Sequence, residues 1–96
     1  MFYVVRAIDK PDSQSLRMEN RAAHLDFLKT GSLTVEVAGP LVDPEGGMRG
    51  SLLIVRADTE LEVEDWLKDD PYTKAGLFER VEVDAFRWAI GAPESE

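Results

Sequence analysis

Residues 2–8 read FYVVRAI, an apolar run of aromatic and β-branched residues broken only by Arg6. Such a run reads as a strand covered on both faces, because a half-solvated strand would alternate. Asp9-Lys10-Pro11-Asp12 ends it. Gly50–Ala57, GSLLIVRA, has the same character. Two other segments alternate instead. In LTVEV, Leu33–Val37, the apolar residues Leu33, Val35 and Val37 fall on one face. The last strand, Leu77–Ile90, changes phase: Val81 and Val83 share one face, and Phe86, Trp88 and Ile90 share the other. A bulge near Asp84-Ala85 would reconcile the two phases. Two central strands and two edge strands are therefore expected, with the first and third strands in the centre.

The segments between them read as helices. Ser13–Lys29 holds no Gly or Pro. Ser15–Leu28 reads as helix, and Gly31 stops it at the usual C-terminal position. Thr59-Glu60-Leu61-Glu62 resembles a capping box that opens a second helix running through Lys68. Val63, Trp66 and Leu67 form its inward face. Pro71 ends that helix at Asp70. Tyr72–Ala75 adds one helical turn, closed by Gly76. Gly39-Pro40 interrupts or bends the second strand, and Asp43–Gly47 is a turn. The order β-α-β-β-α-β predicts an α+β fold of ferredoxin-like plan with an antiparallel four-stranded sheet. Two short helices cover only one face of such a sheet. The other face of the central strands is also apolar and requires a partner, for which a second copy of the chain is the simplest choice. A homodimer is expected.

Ninety-six residues make one domain, 1–96, with a polar tail at Gly91–Glu96. Nineteen acids against 11 bases give a net charge of −8. That field disfavours nucleic acid and anionic membranes as partners. It leaves room for a small anionic ligand where bases concentrate. The absence of cysteine excludes disulfides, thiolate metal sites and cysteine nucleophiles. No leader pattern is visible, and no apolar run approaches the roughly 18 residues of a membrane span. The simplest location is the cytoplasm. Metal-ligand spacing, a Gly-rich phosphate loop and a serine elbow are all missing, so no metal site is expected.

Chemistry concentrates on the first helix. Arg17, Arg21 and His24 stand at i, i+4 and i+7, one stripe that Leu28 continues. Met18, Ala22 and Leu25 lie beside it, which places the stripe at the border of a buried face. His24 is the chain's single histidine, the residue type that titrates nearest neutrality. It is read as a general acid or base, against the plainer reading of a histidine bonded to backbone at a core boundary. Arg17 and Arg21 suit an anionic carboxylate or phenolate. Their plainer reading is a solvated face paired with Glu19, Asp26 or an acid of a partner chain. Asp70 reads as the N-cap of the Tyr72 turn, and equally as a carboxylate that orients a histidine. Gly39 and Ser51 flank the hairpin, where backbone and hydroxyl could meet a ligand; their plainer reading is simple turn and strand-start geometry.

The ordered strings Arg17-x-x-x-Arg21-x-x-His24-Leu25, Ala38-Gly39-Pro40-Leu41, Gly50-Ser51 and Asp70-Pro71-Tyr72 resemble the YCII-related (YciI-like) family. Gly76-Leu77-Phe78-Glu79 and Phe86-Arg87-Trp88 continue the likeness over nearly the whole chain. The resemblance implies a dimeric α+β barrel of two ferredoxin-like chains and a pocket with a His–Asp pair, here His24 and Asp70. Arg17, Arg21, Ser51, Gly39 and Tyr72 would line it. The implied chemistry is cofactor-free proton transfer, elimination or isomerisation on small organic acids or phenols. The alternative is a non-catalytic module that binds a small ligand in the same pocket.

Overall fold

A computed structural model describes residues 1–93. The last three positions of the expected polar tail lie outside the described residues. The elements run β1 (Phe2–Asp9), α1 (Gln14–Thr30), β2 (Thr34–Val42), β3 (Met48–Arg56), α2 (Glu60–Leu67), α3 (Pro71–Lys74) and β4 (Phe78–Phe86). The strands form one sheet in the order β2-β3-β1-β4, with every neighbouring pair antiparallel. The two continuously apolar strands are the central ones, and the alternating strands are the edges, as the sequence predicts.

The helices cover one face of the sheet. Tyr3, Val5, Leu53, Val55 and Ala57 meet Leu28 of α1 and Val63, Trp66 and Leu67 of α2 in a single core. Phe2, Val4, Arg6 and Ile8 alternate with these residues and so point to the other face, as do Leu52 and Ile54. The expected capping box forms in part, because the carboxylate arm reaches the amide one residue before the cap. The Thr59 hydroxyl accepts from the Glu62 amide at 3.2 Å, and the Glu62 carboxylate accepts from the Asp58 amide at 2.9 Å.

Several local expectations are corrected. Val37 does not share a face with Leu33 and Val35. The β2–β3 register shifts between Val35 and Val37, so that Val37 pairs with Ile54 on the far face and is 40% exposed. Gly39-Pro40 does not break β2, which runs on to Val42. A proline is tolerated there because β2 is an edge strand. β4 ends at Phe86 and carries no bulge at Asp84-Ala85; its pairing with β1 is regular from Phe2↔Phe86 to Ile8↔Arg80. The irregularity falls instead between Ile8 and Asp9. The phase change needs no bulge, because β4 presents Val83 to the helices and Phe86 to the opposite face.

Gly31 ends α1 in extended rather than left-handed backbone, with φ −69°. Glycine is required there by crowding: a Cβ would stand 2.7 Å from the Phe27 carbonyl oxygen and 3.0 Å from the Trp66 indole nitrogen. α1 also inverts its expected polarity. The polar stripe itself is buried at Arg17 and His24, together with Leu28. The apolar neighbours Met18 and Ala22 face outward, Met18 at 50% exposure, while Leu25 is partly exposed beside the stripe.

Candidate active site

Burying Arg17 and His24 on one helix stripe demands partners, because an unpaired polar group in the interior is costly. The partners come from the rest of the fold. His24 Nδ1 lies 2.9 Å from Asp70 Oδ1 across 46 positions of sequence. Both side chains are almost fully buried. The same Asp70 oxygen accepts from the Tyr72 amide at 2.9 Å, which makes Asp70 the N-cap of α3. Cap and histidine partner are therefore one atom, and the two readings of Asp70 hold together. A carboxylate accepts only, so the histidine places its proton on Nδ1 when neutral and leaves Nε2 as the basic nitrogen.

Tyr72 follows the cap and lies flat on His24, with ring centroids 3.9 Å apart and planes 13° from parallel. The Arg17 guanidinium carbon stands 4.6 Å from the same ring centroid. Residues seven apart on a helix are separated by roughly 10 Å along its axis. That separation fits a ring inserted between Arg17 and His24. Burial pushes the Tyr72 phenol above its ordinary pKa, with Asp70 adding to the shift and the Arg17 and Arg21 charges opposing it.

Arg17 is engaged on its other side by a residue whose sequence context suggests only a turn. Asp9, expected to help end β1, is the last residue of the strand and is buried. It takes Arg17 Nε at 2.7 Å and NH2 at 2.9 Å in a forked ion pair. NH2 also donates to Ser51 Oγ at 2.8 Å. Burial pulls the Arg17 pKa down, but the Asp9 hydrogen bonds and charge outweigh it and leave the group above its ordinary value. Neither Glu19 nor Asp26 pairs with Arg17. The one sequence signal for Asp9 is its position: it continues the inward alternation Tyr3, Val5, Ala7.

A cavity of about 100 Å³ opens between α1, β2 and β3, and its walls include Arg17, Arg21, His24, Gly39, Ser51 and Tyr72. Cavities of roughly 150 Å³ admit one benzene ring, so a ring would fill this smaller space and extend beyond it. All the expected pocket residues except Asp70 line it; Asp70 stands behind His24. Arg21 is exposed at the cavity wall and makes no ion pair among the described residues. Gly39 lines the cavity without being crowded, since a Cβ added to it would meet nothing within 4 Å. The tightly fitted glycine is Gly50 on the adjacent strand, where a Cβ would stand 2.5 Å from the Ala7 carbonyl oxygen. Among the described residues no group of three metal-ligating side chains occurs. No described helix is long and apolar enough to cross a membrane.

The chain has relatives among known proteins. Protein YciI of Escherichia coli O6:H1 is 35% identical, with 91% of this chain and 97% of the relative covered. An uncharacterized protein of Haemophilus influenzae is 32% identical over the same shares. Among solved structures, 5-chloro-2-hydroxyhydroquinone dehydrochlorinase (TftG) from Burkholderia phenoliruptrix AC1100, in complex with 2,5-dihydroxybenzoquinone, superposes with a TM-score of 0.82. It is 34% identical, covering 91% of this chain and 94% of its own. An antibiotic biosynthesis monooxygenase-like structure from Bacteriodes thetaiotaomicron, 14% identical with a TM-score of 0.61 over 100% of this chain and 95% of its own, shares the fold alone. The family model for the YCII-related domain matches residues 1–87, the whole span from β1 through β4. Sequence, fold and extent thus agree that the chain belongs to the YCII-related family.

Proposed function

We propose that the chain is a small enzyme of the YciI type, a lyase or isomerase that moves a proton on a small phenolic or anionic organic substrate. His24 Nε2 takes the proton. Asp70 holds the ring in the required tautomer and offsets the imidazolium charge that forms. Arg21 attracts the substrate's negative charge at the cavity wall. The observation that carries this reading is the 2.9 Å bond between His24 Nδ1 and Asp70 Oδ1 behind a small cavity that His24 lines. The likeness to a dehydrochlorinase holding a dihydroxybenzoquinone supports the substrate class. Loss of HCl from a chlorinated hydroquinone is proton removal coupled to departure of chloride. It balances without an outside oxidant, so the chain's own residues suffice for it.

The open face of the sheet supports a homodimer with two sheets facing each other. Val4, Ile8, Leu52 and Ile54 point there with no helix above them. Light scattering at micromolar concentration tests this, and a monomer mass overturns it.

The functional test is chloride release from 5-chloro-2-hydroxyhydroquinone by the wild type and by His24→Asn. Turnover that falls about 10²–10⁴-fold in the variant supports the enzyme. Binding without turnover in the wild type favours the non-catalytic module instead. The test is run at neutral pH, where a carboxylate remains ionised and a phenol becomes charged only as its proton leaves.

A further inference from the structure

Proton removal by His24 leaves negative charge on a substrate oxygen, and beyond the exposed Arg21 the functional reading assigns no buried donor to receive it. Resting on that reading, we propose that Ser51 donates a hydrogen bond to that oxygen, with Asp9 and Arg17 fixing the serine as a donor. Ser51 then touches the reacting group, and Asp9 and Arg17 are positioning residues.

Hydrogen-bond direction decides the role. A guanidinium only donates, so the 2.8 Å contact from Arg17 NH2 makes Ser51 Oγ an acceptor there. The hydroxyl keeps one proton to give. Among the described residues, none accepts that proton. Ser51 is buried, 3% exposed, and it lines the cavity that His24 also lines. A ligand in that cavity is the acceptor that completes the serine. The positive charge behind Oγ strengthens the donor, as charge-assisted chains polarise one another.

Asp9 explains why the cation stays behind the serine. Its carboxylate grips Nε and NH2 together in a site where both side chains are 3% exposed. That fork fixes Arg17 in the cavity wall beside Ser51, and its charge is balanced before any ligand arrives. The cavity therefore has two arms. Asp70–His24 takes a proton, and Asp9–Arg17–Ser51 meets the oxygen that becomes negative. Donors preset for developing charge are a large contributor to catalysis. The proton passes from substrate to Nε2, and Ser51 keeps its own throughout.

The probe is 2,5-dihydroxybenzoquinone, whose acidic oxygens present the required acceptor; binding is followed by calorimetry. Ser51→Ala is expected to weaken binding about tenfold or more. Ser51→Cys, of similar shape with a weak S–H donor, carries the same expectation if the alanine variant fails to fold. The pair is then replaced as Asp9→Leu with Arg17→Met, which removes both charges together. In that background the loss caused by Ser51→Ala should shrink, a coupling that a merely structural ion pair would not produce. Unchanged affinity in Ser51→Ala, with wild-type binding intact, overturns the inference and leaves the functional reading standing. The same loss in both backgrounds overturns the roles of Asp9 and Arg17. A wild type that does not bind the probe overturns the functional reading and this inference with it.

Discussion

Tyr72 lies face to face with His24 at 3.9 Å, on the same turn whose first amide Asp70 caps. The imidazole is thus held in its plane by a carboxylate and held flat by an aromatic wall. Tyr72→Phe should keep the stack and stay near wild-type stability. Tyr72→Leu should lose about 0.5–1.5 kcal/mol from the ring contact, beyond any change in packing. It should also lower kcat more than it raises KM, because the imidazole is freed to rotate. Urea melts and steady-state kinetics on the two variants check this.

Asp70→Asn separates charge from geometry. The asparagine carbonyl can replace Oδ1 at both His24 and Tyr72, while its amide lands at Oδ2, which is buried without a hydrogen-bond partner among the described residues. The variant should fold with a loss of about 1–3 kcal/mol. Its turnover should fall by about 10²-fold or more, with the Nδ1–H tautomer of His24 retained in nitrogen-15 spectra. A variant as active as wild type would show that the carboxylate charge is not used.

The two arginines of one stripe should respond in opposite ways. Arg17→Ala strands a buried Asp9 and should cost about 3–5 kcal/mol. Arg21→Ala, at an exposed site with no ion pair among the described residues, should change stability by less than about 0.5 kcal/mol. It should instead weaken the binding of monoanionic ligands, and more at low salt than at high salt. Thermal shifts with and without an aromatic carboxylate distinguish the two effects.

Alkaline pH should destabilise the protein partly through Tyr72. Its folded pKa lies above the ordinary value, chiefly by burial. Above about pH 10, the unfolded chain gives up the phenolic proton while the folded chain still holds it. Stability from this group is complete below that point and declines as pH rises toward the folded pKa. Tyr72→Phe should flatten this part of the stability curve, measured by urea unfolding between about pH 8 and pH 11.

Gly50 and Gly39 lie on adjacent strands and should differ sharply. Gly50→Ala drives a Cβ to 2.5 Å from the Ala7 carbonyl oxygen and should cost about 1–3 kcal/mol. Gly39→Ala meets nothing within 4 Å and should leave the melting temperature almost unchanged. Thermal melts of the two variants beside wild type check the contrast.

The sheet was legible in the sequence because burial on both faces and burial on one face leave different patterns. FYVVRAI and GSLLIVRA became the central strands for that reason. The stripe Arg17-Arg21-His24 was legible because helical spacing is regular, and the ordered motif strings pointed to Asp70. What escaped was set by contacts rather than periodicity. The Val35–Val37 bulge turned Val37 outward, and no local residue announces it. Asp9 looked like turn punctuation because its partner lies on the next element. The reversal of α1, with its polar stripe inside and Met18 outside, follows from that hidden carboxylate: Asp9 and Asp70 make an arginine and a histidine acceptable in the interior.

The bond between His24 and Asp70 also ties together the two halves of the chain, since one residue precedes the hairpin turn at Asp43–Gly47 and the other follows it. The candidate site is a seam. Neither half holds it alone, and it comes into being only when α1 and α3 dock on a completed sheet. A chain severed at the exposed hairpin tip would regain the His24–Asp70 pair only as its fragments reassociate, so the proposed turnover would serve as a direct gauge of reassembly.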